Sequence, residues 1–541
     1  MEISKRDNQS KSAIFAAILT ISLFFSLPFY PSTFEAEHPS SIGYKQEPRN
    51  TTSINLDSRS RQFRSNRLPS ISVGRAPTQA VASDNQVYVV CFGDDSVWVV
   101  DLITKAVTTV IPVGALPSGI SVSKDGSYVY VTSLEKSLSF PFPLDDCSTI
   151  IHDPQGGKVT VINTFSNSVE SVIPIPGEIP FATFPSFDGK KLYLVTTSGN
   201  LYVIDLTANA VEKEIHLGVS QAENAVLSPD GQQLFVSAGS ISNDIFVFNT
   251  LDSQLHLIPL DGTGCDLFFG GRMVVDPSGE YLFANALRNG SRITILISTS
   301  KEMLVQEFPV DFGSVSFSKD GMKAYLVSSA YPRSSGVVLN LGTLEIEKYL
   351  SVGGVATVLS KDELELYVLR YGGLYRRIIK MGQSYPFQYD ITVVNLDQNT
   401  VIETPITSDN IWCSFERTLT SSSDGKYLIV TNSALNTVTV IQTRIIYAPL
   451  NFSGQKVLNR SLSQAEYINV LTWQANSNNE NIGKYRIYQI EGSNRALIIE
   501  LNADVFRYLH RGADTDTSYT YSLVAVNNEG REGLPAIIAI Q

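Results

Sequence analysis

The sequence predicts an all-β chain: an eight-bladed β-propeller, with seven blades as the alternative count, followed by a smaller β-sandwich. Three observations predict it. A Ser-x-Asp-Gly turn leading into an apolar strand recurs along the chain. Only strand patterns lie between its copies, at a spacing that fits four strands and their turns. The period stops after residue 446, and shorter alternating strands around Trp473 take over.

Residues 1–34 read as a signal peptide or signal anchor. Lys5, Arg6 and Lys11 precede an apolar run at 13–29, with Pro28 near its end. Basic residues ahead of the run orient the rest of the chain outward in either case. The protein is therefore expected to be exported: secreted, periplasmic or at the cell surface. Any membrane contact is expected only through this segment, if uncleaved. Residues 35–67 are rich in Ser, Asn and scattered Arg, lack periodic hydrophobicity and read as a flexible linker.

Residues 68–446 carry the repeat. Its turns fall at Asp84, Asp125, Asp188, Asp230, Ser278, Asp320, Asp362 and Asp424. Three spacings are 42 residues, and the others are 41, 48, 62 and 63. Four strands of ordinary length with short turns need about 40 residues. In "SPDGQQLFVSAG" (228–239) Gly supplies the positive φ, and Asp bonds backbone downstream of itself. A third strand such as "LYVIDL" and a looser fourth such as "VEKEIHLG" complete each unit. One such sheet has two apolar faces and needs neighbours on both, which a circle provides. The last unit reaches "NTVTVIQT" (436–443) and lacks a clear fourth strand. "LPSISVG" (68–74) is expected to supply it from the other end of the chain.

These motifs, with "KVTVINTFSNSVESVIPIPG" and "NLYVIDLTANAVEKEIHLG", resemble the YVTN-type β-propeller repeat family, related to surface-layer and quinoprotein-amine-dehydrogenase-like propellers. The resemblance covers roughly residues 68–446 and implies an extracellular binding or surface protein. Residues 451–541 resemble a fibronectin type III domain. There Trp473 matches the buried Trp of the second strand, Tyr485, Ile487 and Tyr488 fall in the third strand, and Tyr519 precedes "SLVAVNNEG". Such a module implies a spacer or binding domain.

In an antiparallel unit the connection from strand two to three and the connection to the next unit share one end, opposite the Asp-Gly turns. The long connections 134–157, 370–390, 261–272 and 407–418 are all of these kinds, so binding is expected at that end. The candidate partner-binding residues are Tyr371, Tyr375, Arg376, Arg377, Tyr385, Phe387, Trp412 and Arg417. Tyr, Trp and Arg are the usual anchors of recognition surfaces. Cys91, Cys147, Cys265 and Cys413 fall near the same end, compatible either with disulfides of unread pairing or with free thiols packed as small apolar groups.

Composition excludes several classes. The net charge of −12 without a basic stripe argues against nucleic-acid binding. Five His and no Cys-x-x-Cys give no basis for a multi-His copper cluster, a zinc ribbon or attached c-type haem. No nucleophile elbow stands out, so no catalytic residue, metal or cofactor is assigned. The expectation is an exported, non-enzymatic binding or scaffold protein facing a protein or glycan at the cell surface. A propeller hydrolase of the lactonase type and a structural surface-layer component are the alternatives.

Overall fold

The computed structural model describes residues 70–134, 156–219, 221–238, 243–260, 262–267, 271–328, 336–350, 352–371, 387–396, 399–403, 406–411, 418–433, 435–460, 465–479, 481–492, 494–528 and 530–541. The leader and linker expected at 1–34 and 35–67 lie outside them. The described elements are all strands. The chain divides into two compact units: Met1–Leu359 with Glu365–Gln442, and Ser360–Leu364 with Thr443–Gln541.

In the first unit the described strands form eight antiparallel sheets of four or five strands, and seven of these take their strands from one continuous stretch of chain. Sheet 1 runs Pro77–Ser83, Gln86–Cys91, Ser96–Asp101 and Ala106–Pro112. Sheets 2, 3 and 4 begin at Pro117–Val122, Pro180–Pro185 and Asn224–Leu227, and sheet 6 at Ser314–Phe317. Sheet 5 departs from the plain pattern: Asp266–Leu267 and Met273–Val275 both pair with its second strand, Tyr281–Arg288. Sheet 7 begins at Ala356–Leu359, and its third strand Phe387–Asn395 carries both Thr400–Glu403 and Ile406–Ile411.

Sheet 8 joins the two ends of the unit. Leu419–Ser421, Tyr427–Asn432 and Thr437–Gln442 are followed on the outside by Ser70–Ser72, with Ile71 opposite Val438. The closing strand expected near 68–74 is therefore paired. Val73 N donates to Asn436 O at 2.9 Å, and Ala76 N donates to Asn436 Oδ1 at 3.0 Å. Ser433 Oγ and Thr418 Oγ1 donate to the carbonyls of Pro77 and Thr78 at 2.7 and 3.0 Å.

Packing follows from pattern. The second and third strands are covered on both faces and read as near-continuous apolar runs, as in Gln233–Ser237 and Asp244–Asn249. Alternate side chains serve opposite neighbours. Leu234 and Val236 pack with Tyr193 and Val203 of sheet 3, while Phe235 packs with Leu282 and Ile295 of sheet 5. The same sharing recurs between every consecutive pair of sheets. It then passes from sheet 8 back to sheet 1, where Ile429, Val438 and Val440 pack with Val87 and Val89. Fourth strands are mostly exposed, as in Ala210–His216, because among the described residues no further strand of the sheet pairs outside them.

The recurring turn works as a latch. In sheet 4 Ser228 Oγ donates to Asp230 Oδ1 at 2.5 Å and accepts from Gln233 N at 2.9 Å, while Asp230 Oδ1 accepts from Gln232 N at 3.0 Å. Gly231 sits at φ +74°. Ser123–Asp125, Ser186–Asp188, Ser318–Asp320 and Ser422–Asp424 repeat it. In sheet 5 the two residues exchange roles: Asp276 accepts from Tyr281 N at 2.7 Å and from the Ser278 hydroxyl. The hairpin from third to fourth strand has its own device. Asp101 Oδ1 accepts from Ile103 N and Thr104 N, and Lys105 then takes φ +54°. Asn163 and Asn167, and Asp205 and Asn209, do the same in sheets 2 and 3.

In the second unit Leu450–Arg460, Ala465–Gln474 and Arg507–Arg511 form one antiparallel sheet. Asn494–Asn502, Ile482–Glu491, Tyr519–Asn527 and Ala536–Ile540 form the other. Their inner faces share one core, with Leu471 and Trp473 from the first sheet against Tyr485, Ile487, Tyr521 and Leu523 from the second. Trp473 and Tyr485 meet edge-to-face, centroids 5.7 Å apart.

Candidate functional site

Strands one to four run alternately up and down, so the connections from second to third strand and from one sheet to the next emerge at one end of the first unit. The sequence places the long connections there. Tyr375, Arg376, Arg377, Tyr385, Trp412 and Arg417 lie outside the described residues, as do Cys147 and Cys413. Tyr371 and Phe387 do not sit in a loop, as read from sequence. Tyr371 ends the strand Glu365–Tyr371 opposite Tyr389, and Phe387 begins the next strand opposite Ile411. The polar stretch at 406–411, read as a connection, is likewise a strand, and Asp266–Leu267 inside 261–272 is another. In both places the second or third strand is longer than its counterparts and offers extra backbone to pair.

Several described polar side chains at this end are engaged with each other or with nearby backbone. Arg75 Nε donates to Asp94 Oδ1 at 2.6 Å, and its Nη2 donates to Gly93 O at 2.6 Å. Between sheets 2 and 3, Glu178 accepts from Ser198 Oγ and, at 2.7 Å, from Asn200 Nδ2. His216 Nδ1 lies 2.6 Å from Asn200 Oδ1. After sheet 5, buried Asp311 accepts from Ser328 Oγ, and Arg292 Nη1 lies 3.6 Å away. Sequence reasoning missed these groups. Their members come from different connections at no fixed spacing, and only the sheet register brings them together.

Cys265 belongs to a fourth group. Arg288 Nη2 donates to Thr263 O at 2.9 Å and to Glu307, and lies 3.3 Å from Cys265 Sγ. Cys265 and Cys91 are both free and buried, the free-thiol alternative of the two read from the sequence. Cys91 packs as a small apolar group with Val87, Val89 and Val438, while Cys265 borders an apolar cluster with its Sγ beside Arg288 and Glu307. Burial pushes the Cys91 thiol up to about 12, and burial with the nearby Glu307 charge raises that of Cys265. Neither is thiolate at neutral pH, so neither has the character of a nucleophile.

Two buried carboxylates stand just ahead of first strands. Glu223, 4% exposed, immediately precedes Asn224–Leu227, and Asp311 lies just ahead of Ser314–Phe317. Among the described residues no group of three His, Cys, Asp or Glu could hold a metal ion.

No family model matches the chain. Among curated proteins it is similar to the uncharacterized protein YwhL of Bacillus subtilis (strain 168), 29% identical over 133 residues. That match covers 21% of this chain and 28% of the relative's length. Among solved structures the chain is similar to Kuenenia stuttgartiensis hydrazine synthase, at 17% identity and a TM-score of 0.41, over 74% of this chain and 99% of that one. It is also similar to dihydro-heme d1 dehydrogenase NirN in complex with DHE, at 14% identity and a TM-score of 0.48, over 79% of this chain and 76% of that one.

Proposed function

We propose that the chain is an exported, non-enzymatic binding or scaffold protein. In this reading the first unit is an eight-bladed propeller of YVTN-type repeats that presents its loop-rich end to a protein or glycan at the cell surface. The second unit is a fibronectin type III-like sandwich that spaces or co-binds. One observation carries the reading: each sheet shares an apolar cluster with the next, and the eighth with the first. A scaffold tied in this way holds its connections at a fixed end. The sandwich assignment is supported by Trp473 in the shared core and by Tyr519, whose hydroxyl accepts from Asp514 N at 3.0 Å, a corner of the kind such sandwiches use.

The test replaces residues 373–385 with a short Gly-rich turn and compares capture from cell-surface extracts and from an immobilised glycan panel. The replacement is expected to leave the thermal midpoint unchanged and to abolish capture. Equal capture by both proteins would overturn the assigned end.

A second reading, a hydrolase with its site at the centre of the ring, draws on Glu223 and Asp311. The proposal expects no lactone or ester turnover above background by the full chain. Turnover that Glu223→Gln removes would replace the binding reading.

A further inference from the structure

His510, Tyr521 and Asn469 form a short polar chain that runs from the half-buried imidazole into the core of the second unit. Asn469 lies directly across from His510 in the three-stranded sheet. Its Nδ2 donates to Tyr521 Oη at 2.7 Å, and Tyr521 Oη lies 2.6 Å from His510 Nδ1. Asn469 and Tyr521 are both fully buried. The Tyr521 oxygen already accepts from the amide, so its single proton goes to His510 Nδ1. The imidazole is then an acceptor there and carries its own proton on Nε2. At the other end of the chain, Asn469 Oδ1 is buried and has no hydrogen-bond partner.

We propose that this chain is reversible, with its direction set by the protonation of His510. When His510 takes a second proton, Nδ1–H becomes a donor to Tyr521 Oη. The Tyr521 hydroxyl proton then needs a new acceptor. The atom that can supply one at the same distance is Asn469 Oδ1, brought round by a half-turn of the amide. The acceptor left over in the neutral state is thereby used in the charged one. Without the half-turn the charged state would leave both the Tyr521 hydroxyl proton and Asn469 Oδ1 unpaired; with it these two pair, and the amide NH2 alone gives up its bond to Tyr521, so the amide follows the imidazole.

The surroundings leave His510 as the group whose charge changes on acidification. Tyr508 stacks on the imidazole at 6.3 Å, and Tyr519 and Tyr521 meet it edge-on at 5.8 and 5.6 Å. Burial holds Tyr521 up at about 12. Lys456 sits over the Tyr519 ring and donates to the carbonyls of Asp514, Thr515 and Thr517. Arg511, next in the strand, is paired with Glu466 at 2.6 Å, and Arg507 is at the exposed start of the strand. Burial lowers the His510 pKa, so the switch lies on the acid side of an ordinary histidine.

The experiment follows the His510 ring nitrogens and the Asn469 side-chain amide by NMR. It uses the full chain labelled with nitrogen-15 in His and Asn, from about pH 8 to about pH 4. Asn469→Asp and His510→Gln identify the two sets of signals by their loss. Above the transition the ring proton should be on Nε2, and the Asn469 amide should shift with the same midpoint as His510. In Tyr521→Phe the His510 signals should still titrate while the Asn469 amide stays put. A ring proton on Nδ1 at high pH, an Asn469 amide that stays fixed while wild-type His510 titrates, or a His510 that never titrates would each overturn the proposal. The wild-type measurements decide it even if Tyr521→Phe does not fold.

Discussion

Ile71 lies directly opposite Val438, so a strand from before the first sheet becomes the outermost strand of the last. Asn436 secures this seam twice, its main-chain oxygen accepting from Val73 N and its side chain from Ala76 N. It does so from φ +54°, a conformation Asn tolerates better than most residues. Asn436→Ala removes the side-chain bond and adds backbone strain. It is expected to cost about 1.5–3 kcal/mol in urea unfolding. Asn436→Gly keeps the conformation, loses only the bond and should cost less. Equal losses would remove the strain from the explanation.

The hairpin from third to fourth strand in sheet 1 puts exposed Lys105 at φ +54°, where sheets 2 and 3 use Asn167 and Asn209. Lys105→Asn is expected to stabilise by about 0.5–1 kcal/mol, read from thermal or urea midpoints. A destabilised variant would mean that Lys105 makes a contact that matters more than its backbone.

The latches tie stability to acid. Hydrogen bonds from the Ser123 and Ser127 side chains and the Ser127 amide pull Asp125 down to about 2, and Asp188 and Asp320 are lowered in the same way. A carboxylate depressed in the folded state contributes stability that is complete above its unfolded value and lost as pH falls through the folded one. The share of stability these carboxylates supply, read as the urea midpoint of the first unit, should therefore be constant above about pH 5 and be lost between about pH 4 and pH 2. Ser123→Ala should raise the Asp125 pKa toward the ordinary carboxylate range, as followed by carboxylate NMR. An unmoved Asp125 would remove the latch as the cause.

Much of this is visible in the chain because the turn chemistry is local. Ser228, Asp230 and Gly231 bond within a few residues, so the unit is legible wherever the three stand together. The exchange of Asp276 and Ser278 is legible too, since either order pairs a hydroxyl with a carboxylate. Pairings between distant residues leave no local trace. Asp266–Leu267 is a strand because Tyr281–Arg288 is long enough to accept it, and its own residues are too few to carry a period. Ile406–Ile411 looks polar and loop-like, and its partner Phe387–Asn395 makes it a strand. The Glu178, Asn200 and His216 group depends on the register between two strands.

The two described thiols give a further outcome. Cys91 and Cys265 are buried and held protonated, so a maleimide at about pH 7 should leave both unmodified in the folded chain and label them in urea. Peptide mapping reads each site separately. Rapid labelling of Cys91 without denaturant would mean that the seam beside it opens.

The closure of the ring is tested most directly by a cross-link across the seam. Ser72 is the register partner of Thr437. The double variant Ser72→Cys, Thr437→Cys should form an intramolecular disulfide under mild oxidation, located by peptide mapping, and should unfold at higher urea than its reduced form. If no such disulfide forms while the chain stays folded, the two ends do not meet, and the account of a closed ring is wrong.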